Sequence, residues 1–238
     1  MSYDKSYVTT EQVSSSSTVF AKLMRNVYSW MALALLITAL TAMVVAQHPD
    51  IVYTIGSNRL YTFGLIGAEL GLVLYLTARI HKMSFLTAGL MFALYSILNG
   101  VTMSFIFFAY TMTSIAQTFF ITAGTFAAMS LVGYVVKKDL STMGRFLVML
   151  LIGIIIASVV NIFVGSSALE MGISYLGVLV FVGLTAYDTQ KIKLMLVQAS
   201  QHGYTDETSK LALMGSLSLY LDFINLFLYL LRIFGNRR

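Results

Sequence analysis

The chain has 238 residues, 58% hydrophobic and only 11% charged, with a mean hydropathy of +0.83, a composition that excludes an ordinary water-soluble domain and places it among polytopic membrane proteins. The absence of cysteine excludes disulfides, thiolate metal sites and cysteine catalysis together. A net charge of +5 does not indicate nucleic acid, because the basic residues are spread over segments that flank apolar runs.

Taken in chain order, residues 1–22 are polar, include Ser14–Ser17 and have little to bury, so they are expected to form a disordered tail. Apolar runs of about 20 residues bounded by polar groups then predict seven transmembrane helices. They fall near 27–46, 60–78, 85–109, 115–136, 146–164, 172–190 and 211–234. The first is too long for the core of a cleaved signal peptide and is read as a span. Residues 23–238 therefore form one all-α transmembrane domain, with no room for a separate soluble catalytic domain.

Charge predicts orientation. With the N-terminus in the cytoplasm, the inner segments hold Lys5, Lys22, Arg25, Arg79, Lys82, Lys137, Lys138, Arg145, Lys191, Lys193 and Lys210, which is 11 of the 15 basic residues. Arg59, Arg232, Arg237 and Arg238 remain outside. The last three oppose the bias, so either the earlier loops dominate or the last segment dips in and returns without crossing.

Two acids interrupt the last two spans, Asp188 in Ala186-Tyr-Asp-Thr-Gln190 and Asp222 in Leu219-Tyr-Leu-Asp-Phe223. An ionised side chain near the middle of a spanning helix costs about 2.5–3.5 kcal/mol on insertion scales, so such residues face a bundle interior, pair, or line a path. Asp188 is expected one or two turns from the cytoplasmic end of its helix, and Asp222 roughly 16 Å deep at 1.5 Å per residue. A tilt, or a break at Gly183, would bring them to one level. Two carboxylates that meet in a poorly hydrated place share a proton. Protonated, they latch two helices; ionised, they repel and offer contacts to a hard cation such as Ca²⁺.

Supporting groups are visible in the same spans. Ser218 and Asn225 lie at i−4 and i+3 from Asp222, Thr185 precedes Asp188 by one turn, and Glu69 is a further intramembrane acid. Arg79, at the inner end of the second span, could reach a carboxylate or snorkel to the headgroups. Gly67 and Gly71 fit a small-xxx-small packing spacing.

No His-Glu-x-x-His cluster is present, His48, His81 and His202 all fall in predicted loops, and no lysine within the last span could form a retinal Schiff base. The remaining enzyme reading is an intramembrane aspartyl protease, since Tyr187-Asp188 and Asp222 occupy consecutive spans. Against it, Asp222 follows Leu-Tyr-Leu and not glycines, and Pro49 is the only proline. The chain is read as a non-enzyme without a cofactor.

Gly183-Leu-Thr-Ala-Tyr-Asp188-Thr-Gln-Lys-Ile192, Ser218-Leu-Tyr-Leu-Asp222-Phe-Ile-Asn-Leu-Phe-Leu-Tyr-Leu-Leu-Arg-Ile-Phe-Gly235 and Lys137-Lys-Asp-Leu-Ser141 resemble the Bax inhibitor-1 family, in its bacterial YccA/YbhL-type inner-membrane branch. The likeness covers all seven segments and leaves the tail and a long loop around 198–209 as the variable parts. It implies six helices arranged around a central C-terminal helix, and an aspartate pair, matching Asp188 and Asp222, that senses pH in a calcium-leak pathway through a bacterial inner membrane. Arg79 lies near the place from which some members bring an arginine to the pair. The resemblance also implies an alternative, an interaction protein that modulates a membrane-bound quality-control protease. Membrane lipids, protons and Ca²⁺ are the other expected partners.

Overall fold

The computed structural model describes residues 10–237, with side chains from Ser16 onward. The first helix, α1 (Thr10–Ala46), is followed by α2 (Pro49–Ser57), α3 (Arg59–Arg79), a 3-10 turn (Ile80–Lys82), α4 (Phe85–Met103), α5 (Ile106–Ala109), α6 (Met112–Val135), α7 (Ser141–Val164), α8 (Ser167–Ser200) and α9 (Asp206–Phe234). Apart from an isolated antiparallel bridge between Tyr110 and Arg237, every regular element among the described residues is helical. Among the described residues, seven helical stretches are long and apolar enough to cross a membrane, and their positions follow the seven predicted spans. Helices are the expected solution, because a chain surrounded by hydrocarbon must satisfy its backbone polar groups within itself.

Side chains that can serve the free N–H groups set several helix starts. Asn58 accepts from Leu60 N, Ser84 from Thr87 N, Thr111 from Ser114 N and Ser166 from Leu169 N. Thr205 and Thr208 cap α9 reciprocally. Pro49 sits at the start of α2, where its missing N–H costs nothing, so a segment expected to be a loop is helical. Gly165, with φ of 66°, closes α7 in the left-handed conformation.

α7, α8 and α9 each begin five residues before the expected span, and three larger differences from the sequence expectation bear on the bundle. α1 begins at Thr10, so the part of the expected tail from 10 to 22 is helical, while residues 1–9 lie outside the described residues. α8 continues ten residues past Gln190, because Ile192, Leu196 and Ala199 recur at helical spacing and bury against the rest of the bundle. That extension shortens the long loop expected at 198–209 to a link at 201–205. Finally, α9 runs unbroken and does not dip and return. Its C-terminal residues reach the α5–α6 connection, where Thr111 N donates to Asn236 O and Asn236 N to Ser114 Oγ, and Arg237 pairs with Glu170 at 3.2 Å.

α9 is the central helix. Of its apolar stretch 67% is buried inside the chain, against 6% for α3 and 11% for α7. α1, α4, α6 and α8 pack directly on α9, while α3 joins the ring through α4 and α7 through α8. The main core runs through Leu23, Val27, Phe92, Leu213, Leu219 and Tyr220, and a second cluster joins α7 and α8 to Leu226 and Leu230. The outer faces remain apolar, with Phe163 85% exposed, as lipid contact requires.

The close helix approaches fall elsewhere than the small-xxx-small spacing suggests. Gly67 and Gly71 face open space, whereas a Cβ on Gly133 would run into the Ala186 carbonyl of α8 and one on Gly100 into Thr38 and Thr41 of α1. Gly133→Ala is therefore expected to cost about 1–3 kcal/mol and to lower the thermal midpoint in detergent, while Gly67→Ala leaves it unchanged. Equal midpoints for the two variants would contradict this packing.

Candidate functional site

Burial of an acid in the central helix defines the site. Asp222 is 5% exposed, and its Oδ2 has no hydrogen-bond partner among the described residues. Asp188, half-buried on α8, lies close enough for the two charges to act on each other. Lys191, one turn further along α8, is a cation whose charge reaches Asp188, and neither acid forms an ion pair among the described residues.

The length of α8 explains the proximity. Asp188 stands twelve residues before the end of α8 at Ser200 and Asp222 sixteen after the start of α9 at Asp206, so in this antiparallel pair their depths differ by only about 6 Å. The expected difference was larger because the helix was expected to end near Gln190. No break at Gly183 is needed; α8 is continuous there and Leu147 packs against it.

Neighbouring side chains hold this part of α8. Thr189 Oγ1 lies 3.1 Å from Ser130 Oγ, which is 2.6 Å from Tyr28 Oη, so a hydroxyl chain links α8, α6 and α1. Gln190 clamps the α6–α7 connection, donating to Val136 O and Lys138 O and accepting from Leu140 N. Tyr187 packs on Gly144 of α7.

The other expected site residues divide. Ser218 is half-buried one turn before Asp222 and at the depth of Asp188. Thr185 is fully buried and donates to Phe181 O, and the Asn225 amide donates to Leu221 O; both donors turn back onto their own helices and not toward the acids. Arg79 is exposed at the end of α3 and makes no ion pair among the described residues, so the structure does not bring it to the pair. Its aliphatic stem and exposed head suit a snorkelling role.

Glu69 belongs to a second polar cluster. It accepts a hydrogen bond from Thr102. Next to them on α4 are Asn99, whose buried Oδ1 has no partner among the described residues, and Tyr95. The Tyr95 ring meets Tyr220 edge-on at 5.9 Å, and Tyr220 Oη lies 2.7 Å from Thr38 Oγ1, which donates to Ser96 O. Sequence reasoning missed Tyr220, Thr38, Gln190 and the Tyr28–Ser130–Thr189 chain. The available signal was a tyrosine and a glutamine inside apolar spans, where each must find a partner.

No group of three His, Cys, Asp or Glu side chains that could hold a metal ion occurs among the described residues. Two carboxylates alone supply only part of the six to eight oxygens Ca²⁺ prefers.

The fold and the buried pair define an integral, multi-pass helical membrane protein. The family described as "Inhibitor of apoptosis-promoting Bax1" matches residues 20–238, and the chain belongs to this Bax inhibitor-1 family. It is 52% identical over 215 residues to the inner membrane protein YbhL of Escherichia coli K12, covering 90% of this chain and 92% of that protein. A Rickettsia prowazekii protein is 43% identical over 236 residues, covering 99% and 98% of the two chains, and a Borreliella burgdorferi protein 47% identical over 217 residues, covering 91% and 93%.

Gln190→Ala would leave two carbonyls and one N–H of the 136–140 connection without partners, a loss of about 1–3 kcal/mol. A lower thermal midpoint is expected, with faster amide exchange confined to that connection and the adjoining helix ends. Unchanged exchange there would show that the clamp is dispensable.

Proposed function

We propose that this protein is a pH-sensitive calcium-leak pathway of a bacterial inner membrane, with the N-terminus in the cytoplasm and the Asp188–Asp222 pair as its sensor. The observation that carries the reading is the orphaned carboxyl oxygen of Asp222 on the central helix, beside a second acid on the neighbouring helix. An unpaired buried acid is costly to retain for packing alone, since an apolar residue of similar size avoids the penalty. Family membership and the likeness to an inner membrane protein support the setting.

In the protonated state one carboxyl donates to the other and α8 is held against α9. Loss of the shared proton places two like charges together in a poorly hydrated interior, which drives the helices apart or recruits a cation. Ca²⁺ entering there exchanges water for carboxylate oxygens and leaves readily because the ligand set is incomplete. The two acids serve both as the switch and as a station for the ion.

The test is calcium influx into proteoliposomes with a trapped indicator, from about pH 6 to 8, for wild type, Asp188→Asn and Asp222→Asn. Wild type is expected to show a pH-dependent flux that either substitution flattens, because a neutral amide cannot titrate. Flux equal to protein-free vesicles at every pH would overturn the transport reading and leave a partner protein, such as a membrane-bound quality-control protease, as the function to seek.

A further inference from the structure

α1 and α6 both pack on the central helix, yet a groove of about 790 Å³ lies between them. Its walls include Met24, Met31, Ala123, Phe126 and Ala127, and it is floored by Phe223 of α9, the residue after Asp222. The apolar lining is interrupted toward the end where α6 finishes, with Phe20 and Ala21 of α1 extending beyond that point. Arg25, Tyr28 and Tyr134 line the groove there, and Arg25 is exposed with no ion pair among the described residues. Lys137 and Lys138 follow the end of α6 at the same end of the bundle.

Length and charge together specify an occupant. On α6 the groove runs from Tyr134 to Ala123, about 17 Å of helix, which matches one leaflet of a hydrocarbon core about 30 Å thick. Arg25 stands one turn before Tyr28, whose hydroxyl meets Ser130, so it lies level with the Tyr134 end of that stretch, where the headgroups of the leaflet would be. A second, almost wholly apolar pocket of about 290 Å³ continues from Phe223 toward Met43 and Ala116, so a chain lying in the groove has space ahead of it. Two small residues one turn apart, Ala123 and Ala127, leave the channel open on the α6 side.

We propose that the α1–α6 groove binds an anionic phospholipid, with an acyl chain along Ala127 and Phe223 and the headgroup phosphate held by Arg25. Bulk lipid would touch this flank without regard to headgroup; a site with one unpaired guanidinium at headgroup depth selects for negative charge. The proposal does not depend on ion transport, and its test reads lipid retention alone.

The detergent-purified full chain is titrated with phosphatidylglycerol or phosphatidylcholine of identical acyl chains, and bound lipid is counted by native mass spectrometry. Wild type is expected to retain phosphatidylglycerol in preference to phosphatidylcholine, Arg25→Gln to lose roughly fivefold in phosphatidylglycerol affinity and with it the preference, and Ala127→Trp to lose both lipids. Lys82→Gln, at the same end of the bundle but outside the groove, is expected to bind as wild type does. Equal retention of the two headgroups by wild type, or an undiminished preference in Arg25→Gln, would overturn the site and leave only nonspecific lipid contact. Should Ala127→Trp fail to fold, the Arg25→Gln comparison still decides.

Discussion

The structure depends on one constraint, the placement of a carboxylate in the helix that every other part of the bundle is built around. Asp222 cannot reach water from the centre of α9, and the membrane offers no hydrogen bonds. The partner it has is another acid, brought within electrostatic reach by the antiparallel packing of α8. A helix pair with apolar residues at both positions would be easier to bury. The surrounding architecture, with α1, α4, α6 and α8 against α9, is what keeps Asp222 buried.

Both ends of that central helix are tied down. At its start, Lys210 donates to Met83 O and Asp206 accepts from Phe85 N, while Asn26 and Lys22 of α1 hold the Tyr204 ring of the α8–α9 link. A hydrogen bond from Ser209, then one from Asn26 and the nearby Lys22 and Arg25 charges, favour the Tyr204 phenolate and depress its pKa below the ordinary tyrosine value. At its finish, the 235–237 segment is bonded to the α5–α6 connection and to Glu170. The helix is thus fixed at both ends, and the paired acids lie between the two anchorages. On the proposed sensor reading, a change in their charge would act on side-by-side packing of α8 and α9 more than on sliding along the axis.

Much of this was legible in the sequence because lipid imposes a simple code. Seven long apolar runs, their polar punctuation and the two intramembrane aspartates all follow from the cost of leaving polar groups in hydrocarbon. What was not legible depended on partners distant in sequence. Residues 191–200 carry two lysines and a glutamine, which reads as an interface, yet Leu196 is fully buried and the helix continues. Arg79 looked able to reach the pair, but its helix packs on α4 at the outside of the ring. Glycine spacing pointed to Gly67 and Gly71, while the close approaches fall at Gly100 and Gly133, whose neighbours on α1 and α8 no local pattern announces.

The central claim is that Asp188 and Asp222 form one protonatable unit inside the bundle. Infrared difference spectroscopy of the reconstituted protein across a pH step observes protonated carboxyls directly, through their C=O stretching band. The account predicts a band in wild type that appears and disappears with pH, and whose midpoint moves in Asp188→Asn and in Asp222→Asn alike, because each removes the other acid's partner. A band whose midpoint neither substitution moves, or a pH step that changes no buried carboxyl, would contradict it.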